Sequence, residues 1–151
     1  MRHNTDEERI YEIAKQDKSI IIQACFNIVH GDSQKAVPFI FRSEQNEYWK
    51  NRTQCDVILK PRKRGFSALI DAEFLAACIL EPNINAVVVS HREEDTKVLF
   101  SRVRWMLDNL PFKVAVSEAG AGHLKFTSTV SNFRVITAGA TEPGRGSDIT
   151  H

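Results

Sequence analysis

One stretch of the chain decides the fold: Val57-Ile58-Leu59-Lys60-Pro61-Arg62-Lys63-Arg64-Gly65-Phe66-Ser67. Its apolar start, with branched side chains over residues 56–59, predicts a short strand of the kind that is buried on both faces of a parallel sheet. The basic residues 60–65 then predict a loop. Ser67 begins a pattern that is apolar nearly all round and runs to Leu80, which predicts a buried helix. The stretch therefore predicts a strand, a loop and a helix start in succession.

The segments on either side extend this alternation of strands and helices. We predict helices at 5–16, within 19–29, at 43–51 with Ser43 as its cap, and from a Ser90–Glu93 capping box to Leu110. We predict strands at 85–89, 113–116, 124–126 and 133–137. The order indicates an α/β domain with parallel strands, because right-handed crossovers place helices between them. Ligands of such sheets bind beyond the carboxyl ends of the strands, where the loop at 60–65 would lie.

The composition fits one soluble domain. The 151 residues are 42% hydrophobic, and twenty basic side chains nearly cancel nineteen acidic ones, for a net charge of +1. Any attraction of nucleic acid must therefore come from a local basic patch. No apolar run approaches the ~20 residues that a membrane helix needs, and the charged N-terminus lacks the apolar stretch of a secretory signal, so we expect a cytoplasmic protein.

The cysteines and histidines give no sign of a metal site. Cys25, Cys55 and Cys78 each lie in a mostly apolar neighbourhood, so we expect buried thiols rather than a disulfide or metal ligands. The five histidines have no metal-ligand spacing. Trp49 and Trp105 are interpreted as packing residues rather than as platforms on which bases stack.

The loop has the chemistry of an anion site. A loop that leads from a strand into a helix points backbone N–H groups at one spot, and the helix start adds partial positive charge. Gly65 permits close approach of the backbone, and the Ser67 hydroxyl is suited to hold Mg²⁺. The cations at Lys60, Arg62, Lys63 and Arg64 can neutralise phosphates. The stretch therefore suits a nucleoside triphosphate.

The stretch departs from the usual phosphate loop, which is Gly-x-x-x-x-Gly-Lys-Ser/Thr. Lys60 stands where that pattern has its first glycine, and Phe66 stands where it has its lysine. Three other interpretations remain open from the residues alone: a solvated basic turn, a localisation-type run, and a contact with nucleic acid.

The displaced lysine resembles a variant loop found in the large terminase subunits of tailed phages, the ATP-driven motors that package viral DNA. Many of them carry Lys-x-Arg-x-x-Gly-Phe/Tyr-Ser, which residues 60–67 match. Upstream, Val37-Pro38-Phe39 followed by Gln45 resembles the adenine-binding segment of that family. Downstream, Pro82-Asn83-x-Asn85 and the strand after it resemble the family's next strand and helix. Gly144-Arg145-Gly146-Ser147 with Thr150-His151 resembles the stretch that runs into the Walker B strand, so the similarity covers roughly residues 37–151.

The resemblance implies an incomplete P-loop NTPase domain of the RecA-like (ASCE) type, with three layers and a mainly parallel sheet. Residues 1–36 would be an N-terminal helical segment, and residues 37–151 a partial ATPase domain. The cofactors would be ATP and Mg²⁺. Carried over residue by residue, Lys60 would contact the β- and γ-phosphates, and Ser67 would hold Mg²⁺. Arg62 would be the candidate arginine finger at the γ-phosphate, and Gln45 would read the adenine edge. Lys63, Arg64, Gly65 and Phe66 complete the expected cofactor-binding set.

The resemblance also places the catalytic acids outside this chain. The Walker B acids would follow His151, and the nuclease domain is absent, so we interpret the chain as the N-terminal part of a terminase large subunit, inactive in hydrolysis by itself. The partners implied are double-stranded viral DNA, the small terminase subunit and the portal protein, with a homo-oligomeric ring in the full-length protein, in the cytoplasm of a bacterial host.

Two further interpretations stay open beside the motor. One is a non-catalytic module that binds nucleic acid or acts in assembly, in a decayed prophage remnant; the other is a related helicase-type ATPase. Arg145, between two glycines, is either a solvated loop residue or a contact to nucleotide or DNA that couples to the motor.

Overall fold

A computed structural model describes residues 3–29, 35–60, 62–118 and 120–139. Within these ranges the chain forms five helices and six strands. The helices are α1 (His3–Gln16), α2 (Lys18–Cys25), α3 (Ser43–Asn51), α4 (Phe66–Leu80) and α5 (Glu93–Asp108). The strands are β1 (Asn27–Val29), β2 (Ala36–Pro38), β3 (Asn85–Ser90), β4 (Val116–Glu118), β5 (His123–Phe126) and β6 (Ser131–Thr137). The predicted α/β class is confirmed.

The main sheet is mixed, so the prediction of a mainly parallel sheet is wrong. Its four strands lie in the order β3-β6-β5-β4. The β3 and β6 strands are parallel, whereas β6 with β5 and β5 with β4 are antiparallel. The reason is the length of the connections. Four residues join β4 to β5 and four join β5 to β6, which is enough for a hairpin but too few for a parallel crossover.

The strand predicted at 56–59 does not form. Residues 52–60 belong to no helix or strand, and Val57 and Leu59 are 98% and 100% exposed. The preference of branched residues for strands expresses packing against neighbouring strands, and this segment has none in the described sheet. Local bonds bend it instead, because the carboxylate of Asp56 accepts from both the backbone N–H and the hydroxyl of Thr53 at 2.8 to 3.0 Å.

Helix α4 is the centre of the core, as its apolar sequence predicts. It packs against α1, α2, α5 and the β3 and β6 strands. The buried core around it extends from Ala14 in α1 to Val135 in β6 and includes the following large side chains: Ile22, Phe26, Phe39, Leu69, Leu75, Leu80, Met106, Leu124, Phe126 and Phe133. Burying one such Leu or Phe contributes about 1.5–3 kcal/mol, so α4 is held by many side chains at once.

The first 36 residues share this core with the rest of the chain. The Tyr11 hydroxyl donates to the carbonyl of Leu80 at 3.2 Å, and Lys18 pairs with Glu81. The predicted division between residues 36 and 37 falls inside β2, which forms an antiparallel hairpin with β1.

Two predicted helix caps are wrong. Arg42, not Ser43, is the N-cap residue of α3, and the Ser43 hydroxyl donates to Glu44. Ser90 belongs to β3 and its hydroxyl donates to the carbonyl of Arg92, which is the N-cap residue of α5. The acidic first turn of α5 is as predicted and is stabilised by the helix dipole.

The thiols are free, and the expectation that all three are buried is wrong. Cys78 is buried, Cys25 is partly buried and Cys55 is exposed, because Cys55 lies in the segment that fails to form a strand. Within the described residues, no helix is long and apolar enough to cross a membrane, and no three His, Cys, Asp or Glu side chains are grouped so that they could hold a metal ion.

Candidate functional site

The loop at residues 60–65 leads directly into the first turn of α4. Gly65 is the N-cap residue, with φ +74° and ψ 8°, a left-handed conformation that glycine adopts without cost. It supplies no side-chain bond to the N–H groups of the first turn. The positive end of this 15-residue helix therefore faces the loop without a side-chain cap from its own N-cap residue.

Phe66 and Ser67, the first two residues of α4, point to different environments. The Phe66 ring is buried and packs edge-on against Tyr48 of α3, with ring centroids 5.9 Å apart. Ser67 is exposed, and its hydroxyl has no hydrogen-bond partner among the described residues. Phe66 therefore fixes the start of the helix to α3, while Ser67 is accessible to a ligand.

Gln45 ties the loop to the start of α3. The side chain is 2% exposed; its Oε1 accepts from the Arg42 backbone N–H at 2.9 Å, and its Nε2 donates to the Gly65 carbonyl at 3.1 Å. The contact leaves no spare room, because a Cβ added to Gly65 would lie 3.0 Å from Nε2. Both polar ends of this amide are thus engaged within the protein. Sequence reasoning expected Gln45 near the nucleotide and missed its bond to Gly65.

The four cations of the loop are not equivalent. Arg64 pairs with Glu44 at 3.2 Å. The pKa of the Glu44 carboxyl is lowered, first by its own backbone N–H and the Ser43 hydroxyl, and then by Arg64. Lys60, Arg62 and Lys63 are exposed and form no ion pair with any residue the structure describes. Three of the four charges therefore remain available to an anion.

Two cavities adjoin the loop. The first, here called the α3 cavity, has a volume of about 750 Å³ and lies between α3 and residues 57–60. Lys60 and Arg64 line it, together with Glu44 and Glu47. Its two positive charges are therefore matched by two negative ones.

The second, here called the α5 cavity, has a volume of about 390 Å³ and lies between the start of α4, the second half of α5 and β1. Three cations line it: Arg42, Lys63 and Arg102. The remaining wall is Gly65 and a set of apolar side chains: Ile28, Val29, Ala68, Trp105 and Met106. It is a positively charged cavity with apolar walls.

A buried ion pair holds one of these cations in place. Arg102 donates from Nε at 2.8 Å and from Nη2 at 2.5 Å to the same oxygen of Asp71, which is 2% exposed. Burial raises the pKa of Asp71, and Arg102 opposes that rise only in part. Asp71 is one of two acids in a mostly apolar helix, and it is the sequence signal that could have pointed to this pair, since buried acids need a partner.

The carboxyl ends of the parallel strands carry a separate polar cluster. The hydroxyls of Ser90 and Thr96 lie 2.7 Å apart, and those of Thr96 and Thr137 lie 2.8 Å apart. The loop at 60–65 follows neither of these strands, so its expected position beyond the carboxyl end of a strand is wrong. Pro61, the motif at residues 144–147 with Arg145, and residues 150–151 lie outside the described residues.

Comparison with protein-family models and with curated proteins gives no match for this chain.

Proposed function

We propose that residues 60–67 bind the triphosphate of a Mg²⁺-nucleotide, and that the chain is the ATP-binding part of a DNA-packaging motor of the terminase large-subunit type. One observation carries the nucleotide proposal: the start of α4 faces a loop on which Lys60, Arg62 and Lys63 have no ion-pair partner among the described residues. The assignment to a packaging motor, with a P-loop domain, rests on the order of the sequence motifs.

Each residue has a distinct task in this proposal. Lys60 and Arg62 neutralise the β- and γ-phosphates, and the exposed Ser67 hydroxyl is a ligand for Mg²⁺. Backbone N–H groups at the start of α4 add donors at the same place. Gln45 keeps the Gly65 carbonyl in position through its 3.1 Å bond. Phosphoryl transfer depends mainly on such positioning and charge neutralisation.

The work of the motor extends beyond nucleotide binding. In the terminases that the sequence resembles, a Walker B glutamate activates the water for hydrolysis. The proposed motor would also translocate double-stranded DNA as a homo-oligomeric ring and contact the small subunit and the portal protein in the host cytoplasm.

Calorimetric titration with Mg·ATP tests nucleotide binding. We expect saturable binding that weakens about tenfold or more in Lys60→Ala, because a charge-assisted phosphate contact contributes ~1.5–3 kcal/mol. Lys125→Ala is the matched control, since Lys125 is an exposed lysine on β5, away from the loop. Absence of binding at millimolar ATP, or equal affinities of Lys60→Ala and the wild type, would overturn the proposal.

A second candidate function follows from the same free cations. Exposed Lys60, Arg62 and Lys63 also suit the phosphate backbone of nucleic acid, with no nucleotide involved. This alternative predicts DNA binding whose affinity falls steeply with salt. The slope of the logarithm of the binding constant against the logarithm of the salt concentration should decrease in magnitude by about one for each loop cation removed. Salt titrations of DNA binding in the absence of nucleotide distinguish it from the nucleotide site.

A further inference from the structure

We propose that the α5 cavity holds the nucleoside part of the nucleotide, and that it does so without a preference for adenine; this inference rests on the proposed function. Lys63 and Gly65 belong to the loop and also line the cavity. A ligand whose phosphates bind at the start of α4 can therefore extend into the cavity without crossing solvent. The volume of about 390 Å³ lies in the range of ligand cavities, roughly 300–1,000 Å³.

Charge favours this cavity over the α3 cavity on the other side of the loop. A nucleoside triphosphate carries several negative charges close to its sugar. Glu44 and Glu47 in the α3 cavity would repel them, and Glu44 already occupies Arg64. In the α5 cavity the lining side chains that carry charge are Arg42, Lys63 and Arg102, all positive. Asp71 neutralises the charge of Arg102 and fixes its guanidinium before a ligand arrives, so Arg42 and Lys63 supply the positive charge that no acid of the lining matches.

The apolar wall suits a flat aromatic group. Trp105 is only partly buried and lines the cavity beside Met106 of the same helix. The other indole, Trp49, has its face covered by the Arg52 guanidinium at 3.6 Å and its Nε1 bonded to Asp17. Of the two, Trp105 is therefore the one with surface left for a base, and stacking on an aromatic side chain accepts every base because each has a π-face.

The lack of a preference for adenine follows from the side chains that line the cavity. Those of Arg42, Lys63 and Arg102 only donate hydrogen bonds, so none of them accepts from the amino group of adenine. The amide of Gln45, which could accept, is engaged by the Arg42 N–H. Donors of this kind match the O6 and N7 acceptors of guanine instead. We therefore expect GTP to bind at least as tightly as ATP.

The test compares Mg·ATP, Mg·GTP and Mg·tripolyphosphate by calorimetry on the full chain. Tripolyphosphate presents the phosphates without a nucleoside, so it reports the loop alone. In the wild type we expect ATP and GTP to bind at least about tenfold more tightly than tripolyphosphate, the lower part of the range for stacking. Trp105→Ala should remove that preference while leaving tripolyphosphate affinity unchanged, and Trp105→Phe should retain most of it.

Two further variants keep the result interpretable. Phe100→Ala removes another partly buried aromatic group from α5, outside the cavity, and should leave the preference unchanged. Ala68→Leu fills the cavity without removing any core side chain and should abolish the preference. Circular dichroism checks that each variant is folded.

The outcomes separate the two proposals. If ATP and tripolyphosphate bind the wild type equally, or if Trp105→Ala and Ala68→Leu both keep the preference, the cavity assignment is wrong while the phosphate site stands. An ATP affinity far above that of GTP overturns the expected lack of a preference for adenine. If neither ATP nor tripolyphosphate binds, the proposed function fails and the cavity assignment fails with it.

Discussion

Gln45→Glu tests the bond that holds the loop. The substitution preserves the size of the side chain and its ability to accept from the Arg42 N–H at 2.9 Å. It replaces the donor, Nε2, with a carboxylate oxygen at the position 3.1 Å from the Gly65 carbonyl. At neutral pH two acceptors would then face each other in a place that is 2% exposed. The start of α4 should lose its connection to α3.

The magnitude follows from these contacts. Loss of the hydrogen bond to Gly65 costs about 1 kcal/mol net, and leaving a buried polar group without a partner costs ~1–3 kcal/mol more. We therefore expect Gln45→Glu to lower the free energy of unfolding by about 2–4 kcal/mol at pH 8. Gln45→Leu loses both the bond to Gly65 and the bond from the Arg42 N–H, without introducing a charge, and should cost about 2 kcal/mol.

The pH dependence distinguishes the two variants. An unfolded glutamate titrates near ~4.3, and burial against a carbonyl raises the pKa of the introduced carboxyl in the folded state. The folded state then binds the proton more tightly. The deficit, meaning the free energy of unfolding that Gln45→Glu loses relative to the wild type, is therefore complete above the folded pKa and shrinks as pH falls through it. The protonated acid can again donate to Gly65. Gln45→Leu has no such group, so its deficit should not change.

Urea unfolding at pH 8 and pH 5 measures both effects, each as a difference from the wild type at the same pH. The wild-type reference removes the titration of Asp71 and Glu73, whose pKa values burial also raises. A deficit below about 0.5 kcal/mol for Gln45→Glu at pH 8, or the same deficit at both pH values, would refute the role of this bond.

Three other predictions concern the same region. Gly65→Ala should lower the free energy of unfolding by about 1 kcal/mol more than Gly139→Ala. Both glycines have a left-handed backbone, but of the two only Gly65 has a neighbour close to an added Cβ, Nε2 of Gln45 at 3.0 Å. Chemical denaturation of the two variants measures the difference. Arg102→Leu should cost ~3–5 kcal/mol at pH 8, because it leaves Asp71 buried without its cation, and adding Asp71→Leu should recover most of the loss; no recovery in the double variant would contradict this. Burial raises the pKa of Cys78 to about 12, so its thiol should resist alkylation at pH 8 until the protein unfolds; rapid native-state labelling there, located by mass spectrometry, would contradict the packing of α4.

The helices could be predicted because their signals are local. The pattern of α4 is apolar except at Ser67, Asp71 and Glu73, which predicts burial on nearly all sides, and α4 lies at the centre of the core. The acidic first turn of α5 could likewise be predicted, because negative side chains at a helix start interact favourably with the helix dipole.

The strands were harder, because pairing depends on distant residues. Nothing in residues 56–59 reveals whether a neighbouring strand exists, and the bonds from Thr53 to Asp56 bend this segment instead. Parallel strands were predicted, and β3 and β6 are parallel, but which strands pair was not predicted. The antiparallel hairpins that complete the sheet follow from the short connections between β4, β5 and β6.

The residue types of the candidate site could be predicted from the sequence, but their arrangement could not. The position of Gly65 before a helix was predicted, and its left-handed φ agrees with that role. The bond between Gln45 and Gly65 joins positions twenty residues apart, and the α5 cavity brings together segments from β1 to α5. Such contacts arise from packing, which no local pattern encodes.

Chemical-shift mapping of the backbone amides during titration with Mg·ATP is the most direct test of whether the phosphates bind at the start of α4. We expect the largest shifts at Gly65, Phe66 and Ser67, and we expect these shifts to be lost in Lys60→Ala. Largest shifts at Ser90 and Thr96, where the hydroxyl cluster lies at the carboxyl ends of the parallel strands, would contradict this expectation.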